Sequence, residues 1–147
     1  MRIEVEPVSM KTRHPFKIAR GEKQLCETFI FHIDCEGIAG TGEACPQVFY
    51  GESRDTVFEA VRRLHSQIEG EPQDARGRLL SGDLRMQLKK DASVRAALDM
   101  ALWDIEGKIA GKPCYQLLDL DPSMTPLTSF TIGFDRPEVI DQKLNEA

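Results

Sequence analysis

The sequence predicts an α+β chain: a three-stranded antiparallel meander, then a helical bundle, then one strand and one helix of a β/α series. Three observations predict it. Period-two alternation is confined to the first third, apolar stripes at helical spacing fill the middle, and a strand-then-helix pattern returns after Pro122.

The opening string Met1-Arg2-Ile3-Glu4-Val5-Glu6 alternates charged with β-branched residues, which suits a strand and not a signal peptide. From Thr28 to Asp34, Phe29, Phe31 and Ile33 share one face while Thr28, Ile30 and His32 share the other. Glu36-Gly37 supplies a turn, and Ile38 to Glu43 returns as a short strand interrupted by glycine. Between the first two strands, residues 14–21 read as a connection too long for a tight hairpin, the kind of loop that often carries function.

Ser53 is placed to cap a helix whose stripe is Val57, Ala60, Val61, Leu64 and Ile68, with Gly70 as the stop. Pro72 to Leu80 fits a second, shorter helix. A third starts at Ser93, with Val94, Leu98, Ala101, Leu102, Ile105 and Ile109 as its apolar stripe; Gly111 stands at its C-terminal cap and Pro113 just beyond. Tyr115 to Leu118 fits one further turn. After Pro122, Leu127 to Phe134 has a strand pattern, and Arg136-Pro137 opens a helix carrying Val139, Ile140 and Leu144. The pattern is still helical at Ala147, so the chain reads as cut within a β/α unit. Residues 1–123 are expected to form one domain and 124–147 the incomplete start of another.

Length and composition narrow the function. A chain of 147 residues can bury one core, and 41% hydrophobic with 29% charged residues argues against disorder. Nineteen basic residues against twenty-four acidic leave a net charge of −5 with no basic run, which excludes a nucleic-acid partner. No apolar stretch approaches the roughly 20 residues needed to span a bilayer, so no membrane partner is expected either. Cys26, Cys35, Cys45 and Cys114 lack CxxC spacing, so zinc is unsupported; without a secretion signal they are expected reduced and mostly buried, in a cytoplasmic protein. His14, His32 and His65 are scattered and support no metal site or triad. Asp99 and Asp104 are five apart and do not share a helix face, Glu106 reads as solvent-facing, and Gly37, Gly40 and Gly42 make a poor phosphate loop because no helix follows them.

The order of elements, with several local strings, resembles the muconate-lactonizing branch of the enolase superfamily. Pro15-Phe16-Lys17-Ile18-Ala19-Arg20-Gly21 is similar to its first mobile loop, and Gly37 to Ala44 to its glycine-rich third strand. Tyr50-Gly51-Glu52-Ser53 resembles the end of its second loop in dipeptide epimerases. Ala96 to Asp104, then Gly111-Lys112-Pro113 and Tyr115 to Leu118, resemble its last capping helix and connector.

That resemblance implies a capping, substrate-specificity domain over residues 1–123 and the first strand and helix of a β/α barrel over 124–147. It implies an enzyme that removes a proton next to a carboxylate and returns it on the other face. In such enzymes Mg²⁺ stabilises the enediolate and two lysines serve as acid and base. One lysine comes from a K-x-K motif on the second barrel strand, and three carboxylates further on hold the metal. None of these positions occurs here: after Phe134 the lone lysine is Lys143, inside the final helix pattern. A whole barrel takes about 250 residues, so catalytic groups and metal ligands are expected beyond Ala147, and this chain alone is expected to be inactive.

Four residues are implied in substrate binding. Arg20 is the candidate partner for a side-chain carboxylate, with a solvated loop arginine as the bland alternative and Gly21 as the competing position. Tyr50 either walls the pocket or lies half-buried under its loop. Thr131, near the end of the first barrel strand, is placed to touch the substrate backbone; Ser129 takes that role if the alignment shifts by two, and β-propensity explains a threonine equally. Glu43 is expected to be a structural acceptor at the domain junction.

The implied function is the substrate cap of a Mg²⁺-dependent dipeptide epimerase favouring an acidic or small second residue. Its partners would be the dipeptide and its own C-terminal barrel, with a homo-oligomer left open. The competing readings are an o-succinylbenzoate synthase, an N-acylamino-acid racemase or a muconate cycloisomerase. A stand-alone binding module is a third class, which the cut-off last helix disfavours.

Overall fold

The computed structural model describes residues 1–18, 21–64, 67–68, 70–129 and 131–146, without the side chains of His14, Pro15, Phe16, Ile18, Lys23 and Glu146. Three strands come first: β1 (Arg2–Ile18), β2 (Gly21–Cys35) and β3 (Ile38–Ala44). A 3-10 turn at Val48–Tyr50 leads to α1 (Arg54–Leu64), α2 (Pro72–Ser81), α3 (Asp83–Gln87), α4 (Ala92–Ala110) and α5 (Cys114–Leu117). A second 3-10 turn, Pro122–Met124, and α6 (Pro137–Glu146) complete the order. The sheet is a meander, β1-β2-β3, and the expected α+β class holds. The chain gathers into two compact units, residues 1–8 with 28–121 and residues 9–27 with 122–147.

In the first unit, the alternation of β2 decides which face is buried. Phe29, Phe31 and Ile33 are fully buried, as their spacing predicts. The β2–β3 register sets Phe31 opposite Gly42 and Ile33 opposite Gly40, so each large side chain lies beside an empty position. Helix α4 occupies that emptiness. A Cβ on Gly42 would stand 1.9 Å from the Ala97 carbonyl oxygen, and one on Gly40 would stand 2.1 Å from that of Ala101. The G-x-G spacing of β3 is thus a seat for a helix backbone, with no phosphate-loop character. The turn between β2 and β3 needs positive φ at both central positions, and Glu36 (54°) and Gly37 (88°) supply it.

Local signals place the helix ends. The Ser53 Oγ accepts from the Thr56 N–H at 3.4 Å while the Thr56 hydroxyl accepts from the Ser53 N–H at 2.9 Å, a reciprocal cap at the start of α1. Val57, Ala60, Leu64 and Ile68 are buried as expected, although α1 ends at Leu64. On α4, Val94, Leu98, Ala101, Leu102 and Ile105 form the core stripe, and Gly111 (φ 62°) closes the helix. Ile109 departs from the expectation and is 56% exposed. Helix α3 and both 3-10 turns were not expected, because elements this short leave no periodicity to read. The cysteines are less buried than expected: Cys26, Cys35 and Cys45 are half-buried and Cys114 is exposed.

The second unit corrects two expectations. The supposed loop 14–21 is largely strand, since β1 runs to Ile18 and β2 begins at Gly21. The described side chains of this stretch are exposed or half-buried, so pairing needs no apolar alternation; the Thr12 hydroxyl adds a side-chain bond to the Gln24 carbonyl at 3.3 Å. Conversely, Leu127 to Phe134 is not a strand among its described residues, and Leu127 is fully exposed. A strand exists by virtue of a hydrogen-bonded neighbour; at the end of this stretch the Phe134 N–H donates to the Lys17 carbonyl at 2.9 Å, with no strand pairing among its described residues. Helix α6 forms where Arg136-Pro137 predicts it.

Candidate functional site

The turn that carries Tyr50 is built on a closed base. The Tyr50 N–H donates to the Gln47 carbonyl (2.9 Å), the Gly51 N–H to Val48 (3.0 Å) and the Glu52 N–H back to Gln47 (3.2 Å). Gly51 takes φ 75°, which reverses the chain. The consequence is a turn that presents Val48, Phe49 and Tyr50 to solvent, 88%, 73% and 72% exposed. Tyr50 is therefore not tucked under its loop. Its ring meets Phe49 edge-on at 5.1 Å and forms one wall of a cleft of about 820 Å³ that continues past Thr56 and Arg63 to Gln87 and Asp91.

Beneath this turn lies Glu52, 5% exposed. Its Oε1 accepts from the Ser93 N–H (2.8 Å) and the Ser93 hydroxyl (3.0 Å), and its Oε2 accepts from the Gln47 N–H (3.4 Å). In the sequence, Glu52 stands out only within the string Tyr50-Gly51-Glu52-Ser53. No local signal links it to Ser93, because the two meet from elements 41 residues apart.

A second buried cluster lies on the α2-facing side of α4. Glu106 is 9% exposed and accepts from Arg76 Nε at 2.8 Å and Nη2 at 3.1 Å, while the guanidinium stacks 3.8 Å over the Trp103 ring. The solvent-facing expectation for Glu106 is thus overturned; a cation 30 residues away makes burial of the carboxylate tolerable. Two turns back from Glu106, Asp99 has an Oδ1 with no hydrogen-bond partner. Burial pushes its carboxyl up, Arg76 draws it down, and Glu106 adds to the rise. A raised folded-state pKa stabilises the fold fully below the unfolded value and loses that contribution as pH climbs through the folded one. Asp99→Asn is therefore expected to melt at a higher temperature than the wild type at pH 7, and thermal melts should show the gap closing as pH falls below the ordinary carboxylate range. Asp104 serves a separate purpose, accepting from the Thr41 N–H (2.9 Å) and Lys108 (2.7 Å), so it and Asp99 form no carboxylate pair. Glu43 is an acceptor, taking the Thr28 hydroxyl at 2.6 Å.

In the second unit, Arg20 lies outside the described residues, as does the placement of Ala19. Gly21 begins β2 with φ 145°, a conformation that L side chains rarely adopt. Thr131 and Ser129 are both exposed. A cleft of about 420 Å³ is lined by Lys17, Glu22, Phe134, Asp135 and Arg136. Lys143 is 7% exposed and donates to the Asp135 carboxylate at 2.9 Å, which holds that carboxyl below the usual range. Lys143 is a structural partner of the α6 start, with no free amine for chemistry.

The described residues do not fit a divalent metal: no group of three His, Cys, Asp or Glu is arranged to hold one. Among the described residues, no helix is long and apolar enough to cross a membrane.

Comparison with known proteins agrees with this architecture. The chain is 32% identical over 146 residues, 99% of its length, to an L-Ala-D/L-Glu epimerase of Bacteroides thetaiotaomicron, and 31% identical over 90% of its length to the Escherichia coli enzyme of that name. It covers 38% of each of those proteins. Among solved structures, 99% of the chain matches 41% of a dipeptide epimerase from Enterococcus faecalis complexed with Mg and L-Leu-L-Tyr, at TM-score 0.79 and 29% identity. A dipeptide epimerase from Methylococcus capsulatus complexed with Mg and L-Arg-D-Lys gives TM-score 0.84 at 26% identity, covering 98% of this chain and 41% of that one. The sequence profile of the mandelate racemase / muconate lactonizing enzyme N-terminal domain matches residues 2–119. The chain belongs to that family of enolase-superfamily capping domains, and within it is related to dipeptide epimerases.

Proposed function

We propose that this chain is the substrate cap of a dipeptide epimerase, with residues 1–123 as the cap and 124–147 opening the barrel that holds the chemistry. The observation that supports this most is the likeness, at about 30% identity across nearly the whole chain, to epimerases whose solved forms hold Mg and a dipeptide. The relatives carry metal, and the described residues here do not fit one, so Mg²⁺ and the acid and base lysines are assigned to the barrel beyond this chain. The bound ion would stabilise the enediolate.

What this chain supplies is selection and exclusion of water. Tyr50 walls the side of the pocket nearest its turn. Arg20, or the backbone at Gly21, meets the side chain of the second residue, and Thr131 meets the substrate backbone. The expected substrate has an acidic or small second residue, and an acidic one calls on Arg20. In the full-length protein, Arg20→Ala should raise KM for L-Ala-L-Glu by about 10- to 100-fold, the worth of a hydrogen-bonded charge pair, and should leave KM for L-Ala-L-Ala nearly unchanged. Steady-state epimerisation kinetics check this. An unchanged KM for the acidic dipeptide removes Arg20 from the site.

A further inference from the structure

The Val48–Tyr50 turn carries three exposed apolar side chains on a hydrogen-bonded base. Such a turn gains little from burial, and its fixed backbone costs entropy. The hydrogen bonds of Glu52 account for its fixed shape. Helix α4 begins at Ala92 with Asp91 at its N-cap, yet the Asp91 side chain makes no cap bond; its carboxylate is engaged by Arg63 at 2.6 Å. The orphan N–H of Ser93 is satisfied by Glu52 instead. A carboxylate is the right group there, since the first turn of a 19-residue helix carries partial positive charge. With one oxygen on α4 and the other on Gln47, Glu52 ties the base of the turn to the start of the longest helix.

We propose that Glu52 is a positioning residue for substrate recognition: it locks the Val48–Tyr50 turn in place so that Tyr50 meets substrate without first paying an ordering cost. This rests on the capping role proposed above, in which Tyr50 walls the pocket. Preorganisation of this kind acts on binding more than on the chemical step. Glu52 touches no substrate itself, and its effect passes entirely through the turn.

The test uses the full-length enzyme with L-Ala-L-Glu and compares Tyr50→Ala, Glu52→Ala and Glu52→Gln. Glu52→Ala should raise KM about tenfold, in line with losing charged hydrogen bonds, and change kcat far less. It should also speed chymotryptic cleavage after Phe49 and Tyr50 by a similar factor. Glu52→Gln keeps an acceptor for Ser93 but sets an amide NH2 against the Gln47 N–H, so it should recover only part of both effects. Tyr50→Ala should raise KM without speeding cleavage after Phe49. If Tyr50→Ala raises KM while Glu52→Ala changes neither KM nor cleavage, the positioning role is overturned and the capping role stands. If neither variant alters KM, the capping role of the turn itself is overturned. Should Glu52→Ala fail to fold, Ser93→Ala, which removes only the hydroxyl contact, must show a smaller rise in KM and cleavage; no rise overturns the proposal.

Discussion

Replacing Gly42 with alanine is expected to cost about 3 kcal/mol of folding stability, near the upper end for overpacking. The added Cβ would fall 1.9 Å from the Ala97 carbonyl oxygen and 2.8 Å from its carbonyl carbon. A flexible side chain could turn aside, but a helix carbonyl cannot without breaking its own hydrogen bond. Helix α4 as a whole must lift from β3, loosening its contacts around Phe31 and Leu98. Gly77→Ala is the matched control: it lies within α2, exposed, with nothing within 4 Å of the new Cβ. That change should stabilise by up to about 1 kcal/mol through helix propensity. Urea unfolding of both variants checks the pair. A wild-type midpoint for Gly42→Ala would mean that α4 does not seat on the glycines of β3.

The second large effect is expected at Glu106. Glu106→Ala leaves the Arg76 guanidinium, whose side chain is 20% exposed, stacked on Trp103 with its bidentate partner gone. Breaking a buried pair from one side costs about 3–5 kcal/mol, and the residual exposure of Arg76 puts this case near the lower end. Removing both charges with Arg76→Met and Glu106→Leu should return most of the loss, because the penalty lies in the orphaned cation more than in the missing attraction. A double-mutant cycle by chemical denaturation measures the difference. A cost under about 0.5 kcal/mol for Glu106→Ala, the usual range for surface changes, would restore the solvent-facing view of this residue.

These two positions also show where a sequence can be read and where it cannot. Phe29, Phe31 and Ile33 announced their buried face because alternation records contact with a core. The α4 stripe was legible for the same reason, up to Ile109, where the helix outruns its support. The arms of the β1–β2 ladder were not legible, since strands whose described side chains are mostly exposed carry no hydrophobic period. Residues 127–134 have a strand-like composition, yet composition cannot provide the neighbour a strand requires. Glu106 and Glu52 were hidden for a different cause: each is buried by a partner from a distant element, Arg76 in one case and Ser93 in the other. Of the four binding candidates, Tyr50 is exposed and lines a cleft. Gly21 and Thr131 lie in the second unit, and Arg20 is outside the described residues.

In the proposed function, this chain selects a substrate whose chemistry is done by groups it does not contain. Proton NMR in deuterated water, with Mg²⁺ and L-Ala-L-Glu, tests it most directly. The full-length protein is expected to wash deuterium into the α-position of the second residue, and residues 1–147 alone are expected to leave that proton untouched. Exchange catalysed by residues 1–147 alone, or none by the full-length protein with any dipeptide, would contradict the account.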